Sequence, residues 1–283
     1  RIAQHFDILF TTEHSIDQLK QTILQLAVMG KLVPQDPNDE PASVLLEKIA
    51  AEKEQLIKDK VIKKQKPLPP ISEDEKPFEL PKGWEWCYLS SLVSFENGDR
   101  SSRYPNKGDL VNSGIPFFGA PDIKEGKLTY SNDLRFISPQ KFEELSNGKL
   151  VDKDFVMLLR GTVGKVAQFN SNEKHSTGFI NAQMLIIRLI DKNLDSYLDR
   201  FFISNVFKND IGKKISGAVI KQIPASVIAT IKLPLPPRQE QNRIIKKVNA
   251  LMFICDKLKL RLLESQTTQL HLADAMAEQA LNS

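Results

Sequence analysis

From Arg238 onward the apolar positions step alternately by four and three. Ile244, Val248, Leu251, Cys255, Leu258, Leu262, Leu272 and Met276 share one phase, and Ser265, Gln269 and Gln279 occupy its polar steps. That spacing keeps one seam of a helix against a partner helix, and the polar steps cost stability while fixing register. No glycine or proline interrupts Arg238–Leu281, so a single helix there would be about 65 Å long at about 1.5 Å per residue, too long to lie on a small core. Periodicity alone admits an ordinary two-helix hairpin equally well. Just upstream, Pro234, Pro236 and Pro237 cannot donate to a sheet and end a strand, and Pro237 suits an early helical position.

Near the other end, Ile16, Leu19, Ile23 and Leu26 predict a helix over Ser15–Met29, stopped by Gly30 and Pro34. A turn-rich linker follows over Val33–Pro41. A second helix is expected from Ser43 to about Lys66 on the stripe Leu45, Ile49 and Leu56. Its basic end, Lys60, Lys63, Lys64 and Lys66, reads better as a solvated helix terminus complementing the dipole than as a phosphate patch. Lys66–Pro81, rich in proline, is an extended connector. From Trp84 the pattern changes to short β-branched and aromatic runs, Val151–Leu159, Lys165–Phe169 and Met184–Leu189, broken by glycine, asparagine and aspartate, which describe a sheet. Ser196–Lys213 returns to helical spacing. The globular part is therefore α+β, and three segments are expected: 1–76, 77–237 and 238–283. The chain begins at Arg1, and Ile2–Phe10 reads as the middle of a helix, as in a piece of something larger.

Composition narrows the picture little. At 283 residues and 41% hydrophobic the chain can bury a core, and 39 Lys and Arg against 35 Asp and Glu leave only +4, so a polyanion would have to be met by local clusters. Cys87 and Cys255 show neither metal-ligand nor disulfide spacing, which fits a reducing cytoplasm. No apolar run approaches the roughly 18 residues that span a bilayer, so no membrane partner is expected.

Catalytic motifs fail one by one. Gly161-Thr162-Val163-Gly164-Lys165 invites a phosphate-loop reading, but the required earlier glycine is missing and Val166 stands where a magnesium-binding hydroxyl belongs. The same glycines as a single-strand clamp would need flanking helices, whereas strand-like runs flank them; a tight hairpin explains them. Asp122 and Glu125 resemble a nuclease site in letters only, since they sit within one turn. His5, His14, His175 and His271 have no metal-ligand spacing. Neither a flipped-base loop nor a glycine-rich cofactor strand of a methyltransferase is present.

The positive signal is an ordered set: Ile23-Leu24-Gln25-Leu26-Ala27 with Gly30-Lys31-Leu32-Val33-Pro34-Gln35-Asp36-Pro37, Leu80-Pro81-Lys82-Gly83-Trp84, Gly114-Ile115-Pro116-Phe117-Phe118, Leu159-Arg160-Gly161, Ser216-Gly217 with Lys221-Gln222-Ile223, and Leu233 through Gln241. In this order they closely resemble the specificity subunit of type I restriction-modification enzymes. Asn181-Ala182-Gln183 departs from the adjacent Asn-Gln frequent in that family. A larger departure is that such subunits carry two target-recognition domains and this chain has one, so it resembles the distal half. The resemblance implies an α+β recognition domain flanked by long helices in an antiparallel coiled coil. It implies a subunit that reads double-stranded DNA, catalyses nothing and needs no cofactor or metal. Methylation subunits, and through them the restriction and translocation subunit, are the implied partners. Exposed helical seams on a half-subunit lead us to expect self-association.

Base discrimination needs donors and acceptors on rigid loops, with cations around them for phosphates. Asn97, Arg100, Ser101, Arg103, Tyr104 and Lys107 supply such groups densely, although the same loop taken alone reads as a solvated surface loop. Arg160 and Lys165 bracket the Gly-Thr-Val-Gly hairpin, either to approach DNA or as a plain turn. Lys213, Lys214 and Lys221 surround Ser216-Gly217 and are candidates for phosphate anchoring or mere solvation. Two further functional classes stay open: a coiled-coil scaffold or inhibitory fragment that binds partner subunits without useful DNA affinity, and an enzyme with an unrecognised site.

Overall fold

The computed structural model describes residues 12–216 and 222–281. The helix expected over Ile2–Phe10 and the candidate Lys221 lie outside them. Helix α1 (Glu13–Val28) begins with a reciprocal cap, in which Thr12 Oγ1 accepts the Ser15 N–H at 3.1 Å and Ser15 Oγ accepts the Thr12 N–H at 3.3 Å. Helix α2 (Ala42–Lys58) ends well before Lys66. Lys60 takes a left-handed φ of 57°, while the Lys60 N–H reaches Ile57 O and the Val61 N–H reaches Leu56 O, closing the helix with a Schellman motif. Lys63, Lys64 and Lys66 thus do not complement a helix dipole. They run along non-helical chain beside Asn97 and Arg188 in a cleft of about 550 Å³.

Half-buried Lys53 of α2 ties this strap to the body, donating to Gln65 Oε1 at 2.9 Å, Val93 O at 3.0 Å and Ser90 O, and its partial burial pulls the ammonium down to about 8.

The body then runs β1 (Glu85–Tyr88), α3 (Leu89–Leu92), β2 (Val93–Asn97), β3 (Leu110–Val111), β4 (Ile115–Phe118), β5 (Ile123–Lys124), β6 (Lys127–Leu128) and β7 (Arg135–Ile137). It continues with α4 (Pro139–Glu144), β8 (Lys149–Leu150), β9 (Phe155–Leu158), β10 (Val166–Gln168), β11 (Gly178–Ile180) and β12 (Met184–Leu189). It closes with α5 (Asp195–Ile203), α6 (Asn205–Ser216), α7 (Ala225–Ile228) and β13 (Lys232–Leu235). Six strands line up as β2-β12-β9-β10-β6-β5, five as β3-β7-β4-β11-β8, and β1 pairs with β13.

Central strands β9 and β12 are covered on both faces, which is why β9 reads as an unbroken apolar run and β12 is interrupted by Arg188 alone. Phe155, Met157, Leu185 and Ile187 pack on the α5–α6 layer through Tyr197, Phe201 and Phe207. Val156, Leu158 and Ile186 point the other way, against Phe118 and Ile180 of the five-stranded sheet. The period of two thus sorts one strand's side chains into two cores. Ser204 splits the expected Ser196–Lys213 helix, since its Oγ accepts the Phe207 N–H at 3.4 Å and starts α6 afresh.

Arg238–Leu281 is one helix, α8, of 44 residues. It runs antiparallel to α1: Lys20 pairs with Asp256 at 2.5 Å, and Lys259 with Asp17 at 3.1 Å and Glu13 at 3.2 Å, so numbers rise on one helix as they fall on the other. Ile244, Val248 and Cys255 are buried in that seam with Ile16, Ile23 and Leu24. Farther along, Leu272 and Met276 are 61% and 63% exposed.

Candidate nucleic-acid interface

Four chain segments meet at one end of the six-stranded sheet, and backbone hydrogen bonds fix them to each other. The segment leaving β2 docks on the turn at 181–183: the Gly98 N–H reaches Met184 O at 3.2 Å, and a Cβ at Gly98 would lie 2.2 Å from Asn181 O, so only glycine fits there. The turn in turn holds the β9–β10 hairpin, with the Leu159 N–H on Gln183 O at 3.0 Å. Leu159 O accepts the Ile223 N–H at 3.0 Å, and Arg160 bridges Gln222. Together they form a continuous rim.

Asn97, Arg100, Ser101, Arg103, Lys107, Arg160 and Lys165 are all exposed on these segments. Arg100 is occupied on one side, its Nε and Nη2 donating to Ala182 O at 3.3 and 3.1 Å. Tyr104 fastens the loop from beneath: its hydroxyl oxygen accepts the Ala182 N–H at 3.3 Å and its half-buried ring meets the Phe117 ring edge-on at 5.9 Å. Ser101 Oγ accepts the Arg103 N–H at 3.2 Å. The hairpin carries positive φ at Gly161 and Gly164, 78° and 82°, and a Cβ at Gly164 would lie 2.8 Å from Ile211 Cδ1, so α6 packs directly behind it.

The α6 lysines divide. Lys213 is exposed, but Lys214 turns inward, with Nζ 3.1 Å from Thr230 Oγ1 and 3.8 Å from Asp210. With its side chain 18% exposed, Lys214 ties the helix to the neighbouring loop and does not stand out on the surface as Lys213 does.

Sequence reasoning missed three contributors. Asp99, 1% exposed, accepts the N–H groups of Ser101 at 2.7 Å and Ser146 at 3.1 Å and is the internal peg of the loop. Burial pushes its carboxyl up, but hydrogen bonds from Ser101, Ser146 and Asn147 outweigh it and hold it below the ordinary carboxylate range. The Asp-x-Ser spacing of an Asx-turn was the available signal. Gln183 is exposed on the rim, and exposed Arg135 of β7 converges with Asn181 of the same turn over Gly119. Asn181-Ala182-Gln183 stands out in the sequence but takes no DNA role there because it departs from the family's adjacent Asn-Gln, whereas Arg135 has no local sequence signal.

No described helix is long and apolar enough to cross a membrane. The chain is 43% identical over 291 residues to the EcoAI type I restriction enzyme specificity subunit of Escherichia coli, covering 100% of this chain and 47% of that protein. Against the EcoEI specificity subunit, also of Escherichia coli, it is 40% identical, covering 100% of this chain and 48% of that one. The chain thus spans about half the length of these relatives. Two solved structures share the fold. One is the HsdS subunit from Thermoanaerobacter tengcongensis, at a TM-score of 0.52 and 17% identity over 94% of this chain and 56% of that one. The other is a chain from work on complex assembly and conformational transition of the type I R-M system, at a TM-score of 0.56 and 18% identity over 94% and 57%. Residues 81–265, which hold the whole rim and the first part of α8, match the type I restriction modification DNA specificity domain, and the chain belongs to that family.

Proposed function

We propose that this chain reads one half of a bipartite duplex DNA target, with the α1–α8 pair as the spacer arm and the docking site for methylation subunits, and that it carries out no catalysis itself. The observation that carries the reading is the rim, where hydrogen-bond donors and cations from four separated segments are locked onto one sheet edge. Rigid presentation of such groups is what base discrimination requires, and the surrounding cations engage phosphates. With a net charge of only +4 the attraction is local.

Duplex binding by the full chain is expected to weaken steeply with salt, as released counterions dictate. Arg103→Ala, which removes a guanidinium with no partner among the described residues, is expected to cost about 1 to 3 kcal/mol on the cognate half-site and less on mutated sites. Electrophoretic retention across a salt series reads both. Absence of any duplex retention at low salt would overturn the proposal in favour of a coiled-coil scaffold.

Leu270, Leu272 and Met276 are exposed on the distal part of α8, and we expect a second copy to cover them, restoring two recognition domains by a twofold axis. Light scattering is expected to give a mass that rises towards the dimer with concentration. A strict monomer at high concentration would remove this element.

A further inference from the structure

We infer that Arg135 is a base-reading residue of the rim, presenting its guanidinium to a guanine in the major groove; the inference rests on the DNA-reading proposal above. Arg135 opens β7 and pairs with Phe117 of antiparallel β4. Strand β4 runs parallel to β11, with Phe118 opposite Ile180, and β11 leads straight into the 181–183 turn. The register therefore delivers Arg135 to the same edge as the loop after β2, from a residue far away in sequence.

Its side chain is held in a way no other rim arginine is among the described residues. The guanidinium carbon lies 4.6 Å from the centroid of the Phe117 ring, and that ring is itself buried, with Tyr104 on its edge. Stacking on a fixed aromatic face orients the planar fork while leaving its N–H edge open. Gly119 makes the room: a Cβ there would lie 3.0 Å from Arg135 Nη2 and 3.2 Å from Asn181 Nδ2, so the guanidinium and the Asn181 amide converge over a backbone notch. Nearby Asp122 directs a carboxylate oxygen to the Gly119 N–H at 2.7 Å, and Arg135 acts on that carboxyl through space, without a hydrogen bond between them.

The contrast among arginines decides the assignment. Arg188 is held by Asp154, and Arg100 by Ala182 O. Arg103 and Arg160 lie on loops, with no ring beneath them among the described residues. Among the described residues Arg135 forms no hydrogen bond or ion pair, so it combines a fixed plane with an unengaged donor edge. Guanine O6 and N7 are the acceptor pair that matches such a fork, and pre-ordering reduces the side-chain entropy lost on binding.

The test is selection of duplexes from a randomised library by the full chain and by Arg135→Ala, with Gly119→Ala as a second variant. Gly119 has an extended backbone, φ −133°, that alanine adopts freely, so Gly119→Ala asks only the side-chain ends of Arg135 and Asn181 to give by a few tenths of an ångström. The wild type is expected to select a half-site containing a G·C pair. Arg135→Ala should lose discrimination at that one pair by roughly 5- to 150-fold, the usual worth of a bidentate contact, with the other positions kept, and Gly119→Ala should lose a smaller part of it at the same pair. Replacing that guanine by 7-deazaguanine should weaken wild-type binding and leave Arg135→Ala unaffected. An unchanged selected sequence in Arg135→Ala overturns the inference. So does a uniform loss on every sequence with a shallower salt slope, which would make Arg135 a phosphate contact. Selection of no sequence by the wild type would overturn the DNA-reading proposal itself.

Discussion

Trp84→Ala is expected to lower the unfolding free energy by about 3 to 5 kcal/mol, the range for emptying a buried tryptophan site. Trp84 is 5% exposed and packs with Ile244, Val248 and Ala27, where α1, α8 and the sheet body meet. Its indole N–H donates to Glu240 Oε2 at 2.9 Å, while Glu240 Oε1 accepts from Gln35 Nε2 at 3.0 Å. Around this centre Gln241 Nε2 donates to Pro236 O at 2.9 Å, Arg238 pairs with Asp191 and Arg243 with Asp39. The Pro-Pro-Arg-Gln-Glu-Gln stretch is therefore the joint that sets the direction of the arm.

Trp84→Phe keeps most of the ring but removes the donor, leaving a buried carboxylate short of a partner, which costs about 1 to 3 kcal/mol. Burial already pushes the Glu240 carboxyl up, with Gln35 and Trp84 opposing it. A raised folded-state value favours the neutral form, so the stability tied to it is complete at acid pH and is lost as pH climbs through that value. Removing the indole N–H raises it further, and the Trp84→Phe penalty should shrink as the solution is acidified. Urea titrations of both variants read this. A Trp84→Ala loss of about 0.5 kcal/mol, typical of a surface site, would show that the joint is not stabilised here.

Where local rules govern, the chain is legible. Strict four-three spacing without a breaker made α8 readable, and its ion pairs with α1 settle the choice against a C-terminal hairpin. Strands β9 and β12 were legible because burial on both faces leaves a single polar residue, Arg188, in the two runs. The end of α2 was misplaced because a lysine, not glycine or asparagine, takes the left-handed position. The break at Ser204 was missed because apolar spacing continues across it while one hydroxyl caps the next helix. At the site, the polar density after Asn97 could be read, but what organises it could not. Arg135 reaches the rim through cross-strand register with Phe117, and Lys214 turns inward because of the phase of α6 against Thr230. Both depend on tertiary placement that single-chain periodicity does not encode.

Arg188→Met is expected to cost about 3 to 5 kcal/mol near neutral pH, because it strands a buried charge. Arg188 is the half-buried member of an otherwise buried β12, and its fork grips Asp154 through Nε at 2.9 Å and Nη2 at 2.7 Å. Nη2 also donates to Lys149 O at 2.9 Å, so one side chain joins β12, β8 and the start of β9. Asp154 is 1% exposed and takes the Val151 N–H at 2.9 Å as well. Burial pushes the Asp154 carboxyl above its ordinary value even with Arg188 pulling it down. Loss of the guanidinium raises it further. With the folded value above the unfolded one, ionisation of Asp154 opposes folding, and stability is lost as pH rises through the folded value. The Arg188→Met penalty should therefore be largest at neutral pH and fall steadily as pH drops towards 5. Adding Asp154→Asn, which keeps an acceptor for Val151 without the charge, should recover part of the loss at neutral pH and remove most of its pH dependence. Urea midpoints measured from pH 7.5 to 5 give both quantities. An equal penalty at every pH, or no recovery in the double variant, would mean that Arg188 acts through packing and not by compensating the charge.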